Sequence, residues 1–115
     1  MKLVRYEEVK LDKRSDGRTV RKVLSHHFNQ PMSSMALYLC EVPSGKFGEH
    51  FHSKSEEIIM FPVGGEISVN GKDYKMNNWD FVVLQPGDKH GFNGDSEDII
   101  HLAIKLPDSN DKITT

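Results

Sequence analysis

Cysteine is nearly absent: Cys40 is the only one in 115 residues, so no internal disulfide can form. Its apolar neighbours Leu37, Tyr38, Leu39 and Val42 predict a buried thiol that behaves as a small hydrophobe. Long apolar runs are missing too. No segment approaches the roughly 18 apolar residues that a membrane helix needs. The opening Met1-Lys2-Leu3-Val4-Arg5-Tyr6-Glu7-Glu8 lacks the apolar stretch of a secretory signal, so a cytoplasmic protein with no membrane partner is expected. Neither charge dominates. The 15 Lys and Arg stand against 17 Asp and Glu, for a net charge of −2, and no basic stripe runs among the aromatics, which argues against nucleic acid as a partner. A helical period is also lacking, since no window repeats apolar residues at spacings of three and four.

What is present is short β-type runs between turn signals. The expected strands are Thr19 to Leu24, Met35 to Val42, Phe47 to His52, Ile58 to Val63, Glu66 to Val69, Lys72 to Met76, Asp80 to Leu84 and Ile99 to Leu106. Pro43-Ser44-Gly45 and Pro86-Gly87 break the chain. Asn70-Gly71 predicts a two-residue hairpin turn, because both positions tolerate positive φ, with Ile67 and Val69 answering Tyr74 and Met76 on one face. At this length the expectation is one all-β domain over residues 1–115, a sandwich or closed barrel with a cavity between its sheets. The first dozen residues, with few apolar anchors, are expected to pair with a neighbouring subunit's edge or drape over the surface. The last stretch, Asp108 to Thr115, reads as frayed.

The chemistry sits in two segments, Gly45 to Glu57 and Gln85 to His90. His50 and His52 are two apart, and residues i and i+2 of a strand share a face, so both imidazoles can aim at one point. If Phe47, Glu49 and Phe51 take one face, Gly48, His50 and His52 take the other, where the glycine leaves room for a ligand. Glu57 and a distant His90 would complete a nitrogen and oxygen donor set suited to a borderline transition metal. On the residues alone a second reading stands beside this one: His50 and His52 facing solvent next to Glu49 and Glu56, with His90 capping a turn.

In these segments the chain resembles the small single-domain cupins. His50-Phe51-His52, four residues, Glu57, six residues and Gly64 match the first cupin motif, although Ser44 stands at its opening glycine and Gly45 comes one step late. Pro86-Gly87, two residues and His90 match the second motif, with Trp79 and Gln85 in place of its glycine and first proline and Asn93 one residue early. The resemblance covers roughly Met35 to Leu106. It implies a double-stranded β-helix, the jelly-roll barrel, holding one divalent transition metal per chain (Fe, Mn, Ni, Co, Cu or Zn) on inward-facing His50, His52, Glu57 and His90. It also implies a homodimer.

The activity that this resemblance implies is metal-dependent chemistry on a small polar organic substrate. Dioxygenase-type oxidation comes first, with isomerase, decarboxylase and a non-catalytic binding or sensor barrel as alternatives. Glu57, released from the metal, would serve as a catalytic base. Smaller expectations attach to the surroundings. Ile59 and Phe61 share the face of Glu57 and read as core before pocket wall. His101 reads as a satisfied structural histidine, His26 and His27 beside Asn29 and Gln30 as a surface loop, and Glu56 as facing away from Glu57. Phe92 is placed to pack over the site, and Trp79 to plug the barrel.

Overall fold

Strand follows strand because β-branched and aromatic residues alternate with polar ones between turn residues, and no α-helix occurs among the described residues. The computed structural model describes residues 1–27, 33–42, 45–94 and 99–115. The expected break at Pro43-Ser44 and the positions of Asn29 and Gln30 lie outside the described residues. In chain order the strands are β1 (Lys2–Val4), β2 (Leu11–Lys13), β3 (Thr19–Arg21), β4 (Ala36–Val42), β5 (Gly45–His52), β6 (Glu56–Phe61), β7 (Gly65–Val69), β8 (Lys72–Met76), β9 (Asp80–Leu84), β10 (His90–Gly94), β11 (Ile99–Leu106) and β12 (Lys112–Thr114). A 3-10 turn covers Tyr6–Glu8.

Ten of these strands form two five-stranded antiparallel sheets, ordered β1-β9-β6-β11-β4 and β12-β5-β10-β7-β8, while β2 and β3 make a separate hairpin. The sheets face each other across an apolar core. Ile59 and Phe61 of β6, Ile67 and Val69 of β7, Met76, Val82, Leu84 and Ala103 fill it, with Ile59, Phe61, Ile67 and Val82 wholly shielded from solvent. Burying an aliphatic or aromatic side chain of this kind contributes about 1.5–3 kcal/mol. Ile59 and Phe61 are therefore core, as expected.

Both ends of the chain are tied in more firmly than the sequence suggests. The opening residues are part of a sheet rather than draped over the surface: β1 pairs with β9, Leu3 opposite Val82. Behind it Arg5 donates to the buried Asp80 at 2.6 Å, and the same carboxylate accepts from the backbone N–H of Tyr6 and Asn77. Nor is the last stretch frayed. β12 pairs with β5, placing Lys112 opposite His52 and Thr114 opposite His50.

Turn chemistry sets the register. Asn70 and Gly71 take φ of 50° and 82°, as the β7–β8 hairpin requires, and Ile67 pairs with Tyr74. Trp79, at the glycine position of the second motif, adopts φ of 68°. That is a conformation glycine takes freely and a bulky side chain rarely does. Its indole is 47% exposed on the β8–β9 turn, so Trp79 does not plug the barrel.

Candidate metal centre

Strand alternation and sheet pairing bring the histidines together. His50 and His52 project from one face of β5, and His90 sits directly opposite His50 where β10 pairs with β5. One nitrogen from each of the three rings falls within 4.8 Å of the others. Glu57 reaches the same point from β6 in the facing sheet, its Oε2 standing 2.9 Å from His52 Nε2 and 3.8 Å from His90 Nε2. Three of the expected set, His50, His52 and His90, thus converge, and Glu57 stands beside two of them.

The hydrogen bonds around the rings decide what the cluster can hold. His90 Nδ1 lies 3.0 Å from the carbonyl of Asp88, His50 Nδ1 3.3 Å from the carbonyl of Gly48, and His52 Nδ1 3.2 Å from Asp111 Oδ1. Each neighbour can only accept, so each Nδ1 carries the proton and each Nε2 is left with a bare lone pair. His90 Nε2 is buried without a hydrogen-bond partner. His52 Nε2 meets the Glu57 carboxylate, also an acceptor, at 2.9 Å. Two lone pairs at that distance repel unless a proton or a cation lies between them. Neighbouring ligands held about 2.1 Å from one ion at right angles stand about 3.0 Å apart. The donor set therefore fits a divalent transition metal.

Electrostatics favour neutral rings at His50 and His90 and an ionised acid at Glu57. Burial, aided by the neighbouring His90, lowers His50 to about 4. Burial also lowers His90, against the Asp88 carbonyl and Glu57. Burial alone would raise Glu57, yet a hydrogen bond with His52, made when a proton lies between them, and positive charge on the nearby rings hold its carboxyl below the usual carboxylate value.

The residue that sequence reasoning missed is Asp111. It is buried just before β12, where Oδ2 accepts from the backbone N–H of Lys54 and Ser55 at 2.8 and 2.7 Å while Oδ1 faces His52. Desolvation opposes its ionisation, but these bonds outweigh it and keep the carboxyl well below the usual range. Lys105, also buried, places Nζ 3.8 Å from Asp111 and donates to the Ser109 carbonyl at 2.6 Å. Nothing in a short window of sequence marks Asp111, because the hydrogen-bond partners of its carboxylate lie more than fifty residues away.

The three histidines from one sheet and Glu57 from the other line a cavity of about 640 Å³. Gly48 opens onto it, with nothing within 4 Å of where a Cβ would stand. β4 and β11 form the far wall. Cys40 lies there, half-buried and directly opposite His101, rather than in the core, because its chain neighbours Leu37 and Leu39 point outward and are exposed. Burial and the charge of Glu57 push its thiol up. Phe92 lines the cavity as expected and stacks on His101, ring centroids 4.4 Å apart. His101 is not a satisfied structural histidine, since its buried Nδ1 has no hydrogen-bond partner. Glu56 does face away from Glu57, but into a buried position where His26 Nε2 comes within 3.5 Å. His26 is thus packed against the sheet, and only His27 is exposed.

Comparison with known proteins places this geometry on a known fold. The chain is similar to a cupin protein from Bacteroides fragilis, with a TM-score of 0.59, 19% identity, and coverage of 69% of this chain and 70% of that one. It is similar to an uncharacterized conserved protein with a double-stranded β-helix domain from Klebsiella pneumoniae, with a TM-score of 0.64, 16% identity, and coverage of 76% and 79%. It is also similar to the DMSP lyase DddQ from Ruegeria pomeroyi, with a TM-score of 0.63 and 22% identity over 71% of this chain, matching 43% of that protein's length. No family model matches the sequence, and no curated protein matches it. At these identities the likeness is one of fold, the double-stranded β-helix.

Proposed function

From the premise that the chain is a small cupin domain, we propose that it is an enzyme that holds one divalent transition metal on His50, His52, His90 and Glu57 and acts on a small polar organic molecule. One observation carries this reading: three imidazoles with Nδ1 anchored and Nε2 bare converge beside a carboxylate at the wall of an open cavity. A bound ion of this kind supplies Lewis-acid polarisation of a substrate oxygen or, if redox-active, dioxygen chemistry.

The chain's own residues do the rest. Asp111 and the Asp88 and Gly48 carbonyls keep the rings in the metal-accepting tautomer. Glu57 holds negative charge at the centre, and when not bound to the ion its carboxylate stands ready to take a proton from substrate. Phe92 and Ala103 give the cavity apolar surface that excludes water from part of it. Dioxygenase-type oxidation is the first reaction to test. A lyase reaction is the second, favoured by the likeness in fold to two DMSP lyase structures. A homodimer belongs to the proposal as well, supported by Leu37 and Leu39, 59% and 71% exposed on the edge strand β4.

The test is elemental analysis of the metal-loaded protein beside its His52→Ala variant, with oxygen uptake and substrate loss followed on chelating diketones, enediols and phenols. One metal per chain, lost in the variant, is the expected result. Oxygen consumption coupled to substrate loss supports the dioxygenase reading, and substrate loss without oxygen consumption supports the lyase. A native chain that takes up no metal overturns the proposal.

A further inference from the structure

One histidine of the cavity takes no part in the candidate centre. His101 is 4% exposed, and its ring is held flat against Phe92 at 19° with Phe61 beyond, centroids 6.0 Å away. Nδ1 is sealed and has no hydrogen-bond partner among the described residues. A sealed N–H without an acceptor is rarer and less favourable than a sealed lone pair, so the proton of the neutral ring belongs on Nε2, the nitrogen left to face the cavity. This is the reverse of the three rings of the centre, which present bare Nε2 lone pairs.

A donor held rigidly in a wall, with no acceptor among the described residues, is satisfied by something that enters the cavity. The charges of the cavity say what kind of molecule that is. Three neutral imidazoles and one carboxylate around a divalent ion leave one positive charge. Lys112 lines the same cavity, while the ammonium of Lys105 is already matched by Asp111. Besides Glu57 the acidic lining residue is Glu41, which is exposed.

We propose that Nε2–H of His101 binds a small organic oxyanion, such as a carboxylate, whose other oxygen donor takes the metal. This rests on the metal reading above and names the ligand class of the same cavity.

The test uses the full chain loaded with cobalt(II), with pyruvate, acetoacetate and 2-oxoglutarate as probes and the visible cobalt bands as the signal. The expected result is a saturable shift with at least one probe, weakened about tenfold or more in His101→Phe, which keeps the stack and loses the donor. His101→Gln carries an amide N–H at about the same reach and restores binding to within about threefold of native. All three proteins retain one cobalt per chain, which shows that they are folded. Equal affinity in native and His101→Phe overturns the inference. So does cobalt bound with no shift from any probe. A native chain that takes up no cobalt overturns the metal reading itself and carries this inference with it.

Discussion

The two walls of the cavity use the same side chain in opposite ways. On the β5 and β10 wall, His50, His52 and His90 each meet an acceptor at Nδ1, and each is left with a lone pair at Nε2. On the β11 wall, His101 packs on aromatic rings, and its sealed Nδ1 has no hydrogen-bond partner among the described residues. One wall is arranged to accept a cation and the other to donate a hydrogen bond. What an imidazole offers is set by what its hidden nitrogen touches, not by the presence of histidine.

The hardest blow to that contrast is to remove a ligand from the first wall. His52→Ala or His90→Ala should cost the protein essentially all of its stoichiometric metal while the far-ultraviolet spectrum stays that of a β protein, because the core of Ile59, Phe61, Ile67 and Val82 is untouched. Full metal occupancy in both variants would show the shell to be elsewhere. Removing only the anchor should do less. Asp111→Ala should weaken metal binding about 10- to 100-fold, as loss of a carboxylate that orients a metal-bound histidine does. It also leaves the Lys54 and Ser55 N–H groups without their acceptor, a loss of about 3 kcal/mol in stability. Asp111→Asn, which keeps one acceptor oxygen, should fall between native and alanine in metal affinity. Chelator competition well below the unfolding temperature separates the two effects, and unchanged affinity in Asp111→Ala would reduce the residue to a turn cap.

Acid should erode both walls of the metal-free protein. His50, His90 and His101 are all lowered by burial, so the unfolded chain takes up protons that the folded chain refuses. Stability is then greatest above the ordinary histidine value of about 6.5. It falls as pH drops below that value, and the His50 contribution levels off near its folded value of about 4. Asp111 and Glu57 have the opposite charge type but the same sign of effect. Their depressed values give stability that is present above the ordinary carboxylate range and lost below it. Thermal unfolding of chelator-treated protein at pH 7, 5.5 and 4.5 should show a monotonic decline, and a flat profile from pH 7 to 5.5 would count against neutral rings in the fold.

Much of the first wall was legible in the sequence, and little of the second. The spacing of His50 and His52 carries its meaning locally, because strand alternation alone puts both on one face. Glu57 and His90 needed the two cupin motifs, since only the fold brings β6 and β10 to β5. Asp111 was illegible for a physical reason. Residues 108–115 offer a single large aliphatic side chain, Ile113, itself 44% exposed, so their order comes from pairing with β5 and from buried hydrogen bonds rather than from an apolar pattern. Cys40 misled for the reverse reason: apolar neighbours on an edge strand point outward as readily as inward. His101 looked like any strand histidine, because the lack of a partner is a property of three-dimensional surroundings.

The smallest expected effect joins the two walls. Cys40 stands on the far wall, yet the negative charge of Glu57, second to burial, helps to push its thiol up. A cation bound at Glu57 offsets that charge, so the thiolate fraction of Cys40 should rise when metal is added. Alkylation of the single thiol by iodoacetamide at pH 8 should then run about threefold faster in metal-loaded than in metal-free protein, a modest factor because Cys40 on β4 and Glu57 on β6 stand two strands apart in one sheet. The same measurement on Glu57→Gln should lose the metal dependence, since the charge to be offset is gone. Cys40→Ser should bind metal within about twofold of native, because the thiol is not among the converging donors. A rate that metal leaves unchanged in the native chain would mean that the ion does not sit at Glu57. A rate that rises equally in Glu57→Gln would place the coupling on another group.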